Sequence, residues 1–140
     1  MAMVPTEKII TLINSTKFKP QIKCIMTDGI AFGGFNVIDI VEISKKTNLP
    51  VIIVMRDYPD IPKVKEILAR LSMEHKIPLL EKAGEIIPVD NIHIQFSGLA
   101  KERAMEFVRL SSTRSQIPEP LRVAHLIGQG IVLGESRGKA

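Results

Sequence analysis

Tryptophan is absent, tyrosine occurs once (Tyr58), and aromatic residues make up only 4% of the 140 positions. A core without large rings has to be assembled from Ile, Leu, Val and Met, and a hydrophobic fraction of 45% supplies them. The single cysteine, Cys24, excludes an internal disulfide and with it a disulfide-held secreted scaffold. It lies in an apolar run and reads as a small buried hydrophobe rather than a nucleophile. No apolar stretch approaches the roughly 20 residues that span a bilayer, and the opening Met1-Ala-Met-Val-Pro5 does not lead into a signal peptide. A reducing cytoplasm and no membrane partner are the expectation. Low-complexity tracts, internal repeats and linkers are also lacking, which predicts one domain over residues 1–140 with a single core.

Several catalytic signatures are missing too. There is no Walker-type loop, Gly29, Gly33 and Gly34 do not form a dinucleotide fingerprint, and no Ser-centred elbow occurs. His75 and His93 share no metal-ligand spacing with each other or with Cys24, and both read as structural or exposed. The charge balance carries some information. Nineteen Lys and Arg against fifteen Asp and Glu give a net charge of +4 and a pI near 9.3. Such an excess favours nucleic acid through long-range attraction, although it is also ordinary for intracellular proteins.

Periodicity predicts an opening helix from Thr6 to about Thr16, then a strand over residues 21–27 that stops at the turn signal Asp28-Gly29. Asn36 is placed to cap a helix to about Thr47, with Val37, Ile40, Val41 and Ile43 at helical spacing. Val51–Met55 is apolar throughout, as in a strand covered on both faces, and Arg56 follows it. Pro62 suits the first turn of a helix to about His75. Pro78–Lys82 reads as a weak strand, Ile92–Phe96 as an alternating strand, and Ala100–Leu110 as an amphipathic helix. Pro118 and Pro120 precede an expected last helix over Leu121–Ile127, and the tail from Gly134 reads as loose. Strands joined by helices give an α/β layered domain with parallel leading strands. Sites in such sheets gather at the carboxyl ends of strands, which places Asp28 and Arg56 on one edge.

A carboxylate there, followed by a glycine that admits a substrate backbone, suits a hard divalent cation; it equally suits a turn aspartate capping its own loop. His125, among apolar neighbours, is either a packed histidine or a ligand. Arg114, Arg122 and Arg137 have the guanidinium geometry for phosphate, with solvated surface arginine as the alternative.

Three stretches together carry a resemblance. They are Ile25-Met-Thr-Asp-Gly-Ile-Ala-Phe-Gly-Gly-Phe-Asn-Val-Ile-Asp39, Leu49-Pro-Val-Ile-Ile-Val-Met-Arg56 and Ile117-Pro-Glu-Pro-Leu-Arg-Val-Ala-His-Leu-Ile127, closed by Gly134-Glu-Ser-Arg-Gly138. The pattern resembles the mostly archaeal family known as domain of unknown function 99, which is similar to endonuclease V and linked to cleavage at deoxyuridine. The resemblance implies a ribonuclease H-like fold and a magnesium- or manganese-dependent endonuclease of DNA repair acting near deaminated bases. By it, Asp28 corresponds to the metal-binding aspartate and His125 to a His or Asp near the metal. Gly29, Phe32, Arg56, Arg114 and Arg122 fall where nucleic acid, DNA above all, would be contacted.

The same resemblance predicts a deficit. The ribonuclease H-type fold opens with an antiparallel meander whose first strand carries a central aspartate, and here no acid precedes Thr6. The expectation is a domain lacking that meander and its carboxylates, with a bare edge on the strand over residues 21–27. A bare apolar edge favours a homodimer through the sheet. Two functions follow: a metal-dependent endonuclease, or a non-catalytic nucleic-acid-binding or assembly domain that retains the nuclease scaffold.

Overall fold

In chain order the elements are α1 (Pro5–Ser15), β1 (Cys24–Asp28), β2 (Ala31–Phe32), β3 (Asn36–Val37), α2 (Ile40–Thr47), β4 (Val51–Met55), α3 (Ile61–Arg70), α4 (Ile77–Lys82), β5 (Ile87–Val89), β6 (Ile92–Ser97), α5 (Lys101–Ser112), β7 (Leu121–Ile127) and β8 (Gly130–Ser136). This computed structural model describes residues 5–28, 31–32, 36–112, 121–127 and 130–136, with side chains placed for residues 6–27 and 38–110. The protein is a mixed α/β molecule whose main sheet has six strands in the order β5-β6-β4-β1-β7-β8. The two short strands β2 and β3 form a separate antiparallel ribbon.

Strand β1 runs parallel to both β4 and β7, whereas β6 and β8 are antiparallel to their neighbours. The apolar residues of the central strands sort by position, because successive strand side chains leave opposite faces. Ile25, Val51, Ile53 and Met55 join Ile9, Ile13, Ile40, Ile43, Leu68 and Leu80 in a core beneath α1 to α4. Cys24, Met26, Ile52 and Ile94 join Ala104, Phe107 and Val108 of α5 on the other face. Both faces are therefore covered, and the continuous apolar run Val51–Met55 follows from that.

Four sequence expectations are corrected. Residues 36 and 37 are ribbon strand, and α2 starts at Ile40, where the Asp39 side chain accepts from the Glu42 amide at 3.0 Å. The run Pro78–Lys82 is helical: Pro78 occupies a first-turn position that needs no amide donor, and Leu80 reaches the core. Leu121–Ile127 is a strand, not the last helix. A seven-residue apolar run bounded by Pro and Gly fits a strand as well as a helix, and the slot beside β1 decides it. Gly134–Ser136, read as loose tail, belongs to β8, and Gly130 opens that strand.

The bare edge is the other departure. Strand β1 has β4 on one side and β7 on the other, so it lies inside the sheet. Among the described strands the edges are β5 and β8.

Candidate functional site at the carboxyl edge of the sheet

Asp28 closes β1, in register with Val54 of β4. Arg56 lies two positions beyond Val54, immediately after the strand, and is exposed. Because the two strands are parallel, both positions sit at one carboxyl edge of the sheet. The ribbon carrying Phe32, which pairs with Asn36, follows β1 directly in the chain.

The other sequence candidates are less closely grouped. His125 lies level with Met26, so its backbone is two positions short of Asp28, inside the sheet rather than on its edge. Arg122 precedes Val123, which is paired with Cys24, and stands near the amino end of β7. Five positions separate Arg122 from the level of Asp28, roughly 16 Å along a strand. Gly29, Arg114, and the wedge loop between Phe32 and Phe35 except for Phe32 itself, lie outside the described residues, as does Arg137.

Two residues not expected at this edge lie there, one from the loop after β4 and one brought by β6. That strand is antiparallel to β4, so its first residues lie beside the last of β4, and His93 is in register with Met55. Tyr58, from the loop after β4, meets the His93 ring edge-on with centroids 5.5 Å apart. His93 Nδ1 is buried and has no hydrogen-bond partner among the described groups. Near the same edge Arg109 of α5 approaches Asp90 at 3.5 Å. Strand pairing alone makes His93 and Arg56 neighbours; no spacing in the sequence signals it.

The backbone thus sets an acidic position and an exposed basic one at the same carboxyl edge of β1 and β4. Among the described residues no three His, Cys, Asp or Glu side chains gather as metal ligands. No described helix is long and apolar enough to cross a membrane.

Residues 3–132 match the family described as endonuclease dU. The chain belongs to that family. Proteins similar to it include a UPF0215 protein from Methanothermobacter thermautotrophicus, 47% identical over 96% of this chain and 69% of that protein. A UPF0215 protein from Methanosarcina barkeri is 48% identical over 96% of this chain and 72% of its own length. For a UPF0215 protein from Archaeoglobus fulgidus the figures are 40%, 96% and 75%. A crystal structure of a protein of unknown function from Archaeoglobus fulgidus superposes with a TM-score of 0.75 at 34% identity. It covers 84% of this chain and 70% of that one, so the fold described above is shared with that solved structure.

Proposed function

We propose that this endonuclease dU family member is a divalent-metal-dependent endonuclease of nucleic-acid repair, acting on DNA that carries deaminated bases such as deoxyuridine. The observation that carries the reading is the juxtaposition of Asp28 and Arg56 at the carboxyl edge of parallel β1 and β4, in a chain matched by a family named for an endonuclease. Asp28 is assigned to metal binding, since magnesium and manganese take oxygen donors and keep several waters. Phosphate and water would supply the remaining positions. Such an ion, when bound, provides Lewis-acid stabilisation of the charge that develops on the phosphodiester.

Arg56 holds a backbone phosphate by its guanidinium fork, and the Gly29 segment lets that backbone approach. Phe32, on the ribbon after β1, contacts a base or sugar. His125 acts from within the sheet as a positioning group for the site rather than as a ligand at its rim. Arg122 stands too far along β7 to share a phosphate with Arg56, and it and Arg114 are assigned to other phosphates. The scaffold is assigned to the ribonuclease H-like, endonuclease V-like group; parallel strands with their carboxyl ends at the site support this. The flank of β1 where that group carries its meander is covered by β7 and antiparallel β8.

The test is a nicking assay on deoxyuridine- and deoxyinosine-containing oligonucleotides with magnesium or manganese. Metal-dependent cleavage that disappears in Asp28→Asn is the expected result. Cleavage that survives in the variant removes the metal assignment. Salt-sensitive binding without cleavage points instead to a non-catalytic nucleic-acid-binding domain.

A further inference from the structure

The amino edge of the sheet, opposite Asp28 and Arg56, gathers lysines from two separate segments of the chain. Helix α1 ends at Ser15, and a short turn over Lys19–Gln21 leads through Lys23 into β1. Helix α2 ends at Thr47, and Leu49 and Pro50 lead into β4. The two connections are tied together. Asn14 Nδ2 donates to the Lys46 carbonyl at 3.1 Å, and the Ile25 amide donates to the Pro50 carbonyl at 2.9 Å. Lys17, Lys19 and Lys23 are thereby brought to the same end of the molecule as Lys45 and Lys46. The backbone of Arg122, one position before the Val123 that pairs with Cys24, is level with Lys23 on the next strand.

Charge is segregated at this end. Residues 8–27 and 43–55 contain no aspartate or glutamate. Lys46 approaches Glu42 at 3.6 Å, whereas Lys17, Lys19, Lys23 and Lys45 have no ion pair among the described residues. Lys17, Lys23, Lys45 and Lys46 are exposed. Nineteen Lys and Arg less these five lysines leave fourteen against fifteen acids, so the net positive charge of the chain resides here. The carboxyl ends of α1 and α2 each favour a nearby cation. Five lysines exceed that need, and their mutual repulsion opposes the compact state. An aromatic ring lies among them. Ile9, Ile13 and Ile22 nearby are buried, but Phe18 is 36% exposed, with the Lys17 ammonium 5.3 Å from its ring centroid. Spaced cations around an exposed ring match a nucleic acid strand, whose phosphates meet the ammonium groups while a base stacks on the ring. An acidic peptide would match the charge alone.

We propose that this amino edge is a binding surface for single-stranded nucleic acid. Lys17, Lys19, Lys23, Lys45 and Lys46 hold successive phosphates, and Phe18 stacks on a base. The level of Lys23 is five strand positions, roughly 16 Å, from that of Asp28. The surface is therefore separate from the proposed nuclease edge, and it requires neither a metal ion nor the nuclease reading.

The experiment is a fluorescence-anisotropy titration of the full chain with a labelled oligothymidylate, without divalent ions, over about 50 to 200 mM salt. Lys17→Gln, Lys23→Gln and Lys45→Gln combined should weaken binding at least about tenfold at the lower salt. They should also reduce the slope of log affinity against log salt by about two. The three side chains are exposed, so the fold is kept. A control removes the same charge elsewhere, at Lys63, Lys65 and Lys76 of α3 and the turn before α4, and should leave the slope nearly unchanged. The unaltered chain should prefer oligothymidylate to an abasic oligomer of equal length by at least about fivefold, and Phe18→Leu should abolish that preference. Equal losses in the two triple variants, or no saturable binding at the lower salt, overturn the proposal. Oligoglutamate that competes as well as oligothymidylate, with Phe18→Leu silent, overturns it in favour of an acidic polypeptide.

Discussion

At Cys24 the consequence of burial can be followed from side chain to solution behaviour. The residue is wholly buried in β1, its thiol donates weakly to the Ile25 carbonyl at 3.6 Å, and burial pushes its pKa up to about 12. A thiol so placed stays protonated at neutral pH and is a packing group. Thiol titration with a disulfide reagent at pH 8 should therefore show slow labelling, at the rate of global opening, and fast labelling only in denaturant. The linkage has a definite sign. The folded pKa lies above the ordinary value of about 8.5, so the associated stability is full below that pH and is lost as pH rises toward about 12. Denaturation midpoints measured between pH 7 and 11 should fall on the alkaline side, and Cys24→Ala should flatten that fall. Burial of Cys24 was legible from its apolar neighbours in the sequence. The proximity of Tyr58 and His93 was not, because it depends on a pairing between strands about 40 positions apart in the chain.

Within the elements, Asp39 ties several together. Its side chain caps α2, its second carboxylate oxygen accepts from Lys82 Nζ of α4 at 2.6 Å, and its own amide donates to Thr6 Oγ1 of α1 at 2.9 Å. Asp39→Ala should cost about 1–3 kcal/mol in a urea melt, since it removes the cap and leaves the lysine without its partner. Asp39→Asn, which can still cap, should cost less. A double-mutant cycle with Lys82→Met separates the ion pair from the cap. Gly98 ends β6 at φ +90, and a Cβ there would meet Ser44 Oγ at 2.1 Å and the Pro50 Cα at 3.3 Å. Gly98→Ala should lose about 1–3 kcal/mol, and adding Ser44→Ala should recover only part of it, because the backbone strain remains. The helices α1, α3 and α5 and the strands β4 and β6 were readable from periodicity and stop signals. The stretches 77–82 and 121–127 were not: each is short, the first holding Pro78 and the second lying between Pro120 and Gly128, and for such runs local pattern allows either state. Packing resolved them in opposite directions, Leu80 into the core under the sheet and Leu121–Ile127 into a slot beside β1.

On the scale of the whole molecule, the net charge of +4 and the Asp28–Arg56 edge bear on how nucleic acid is held. If Arg56 neutralises one phosphate, Arg56→Ala should weaken binding to duplexes of any sequence. It should also reduce the slope of log affinity against log salt by about one. Equal slopes would take Arg56 out of the phosphate contacts. Association of copies through the sheet cannot use β1, which has neighbours on both sides; among the described strands β5 and β8 are the edges left for it. The amino-acid sequence by itself determined the α/β class, the apolar strands that build the core, the family, and the placement of Asp28 and Arg56 at strand ends. Those depend on local period and turn chemistry, which act within a few residues. Only the tertiary structure decided that Leu121–Ile127 is a strand, that β1 is central, that His93 joins Tyr58 beside Arg56, and that Gln95 is buried with its side chain bound to the Gly84 carbonyl. Each is a contact between segments far apart in the chain, and its energy exists only once the sheet has brought them together.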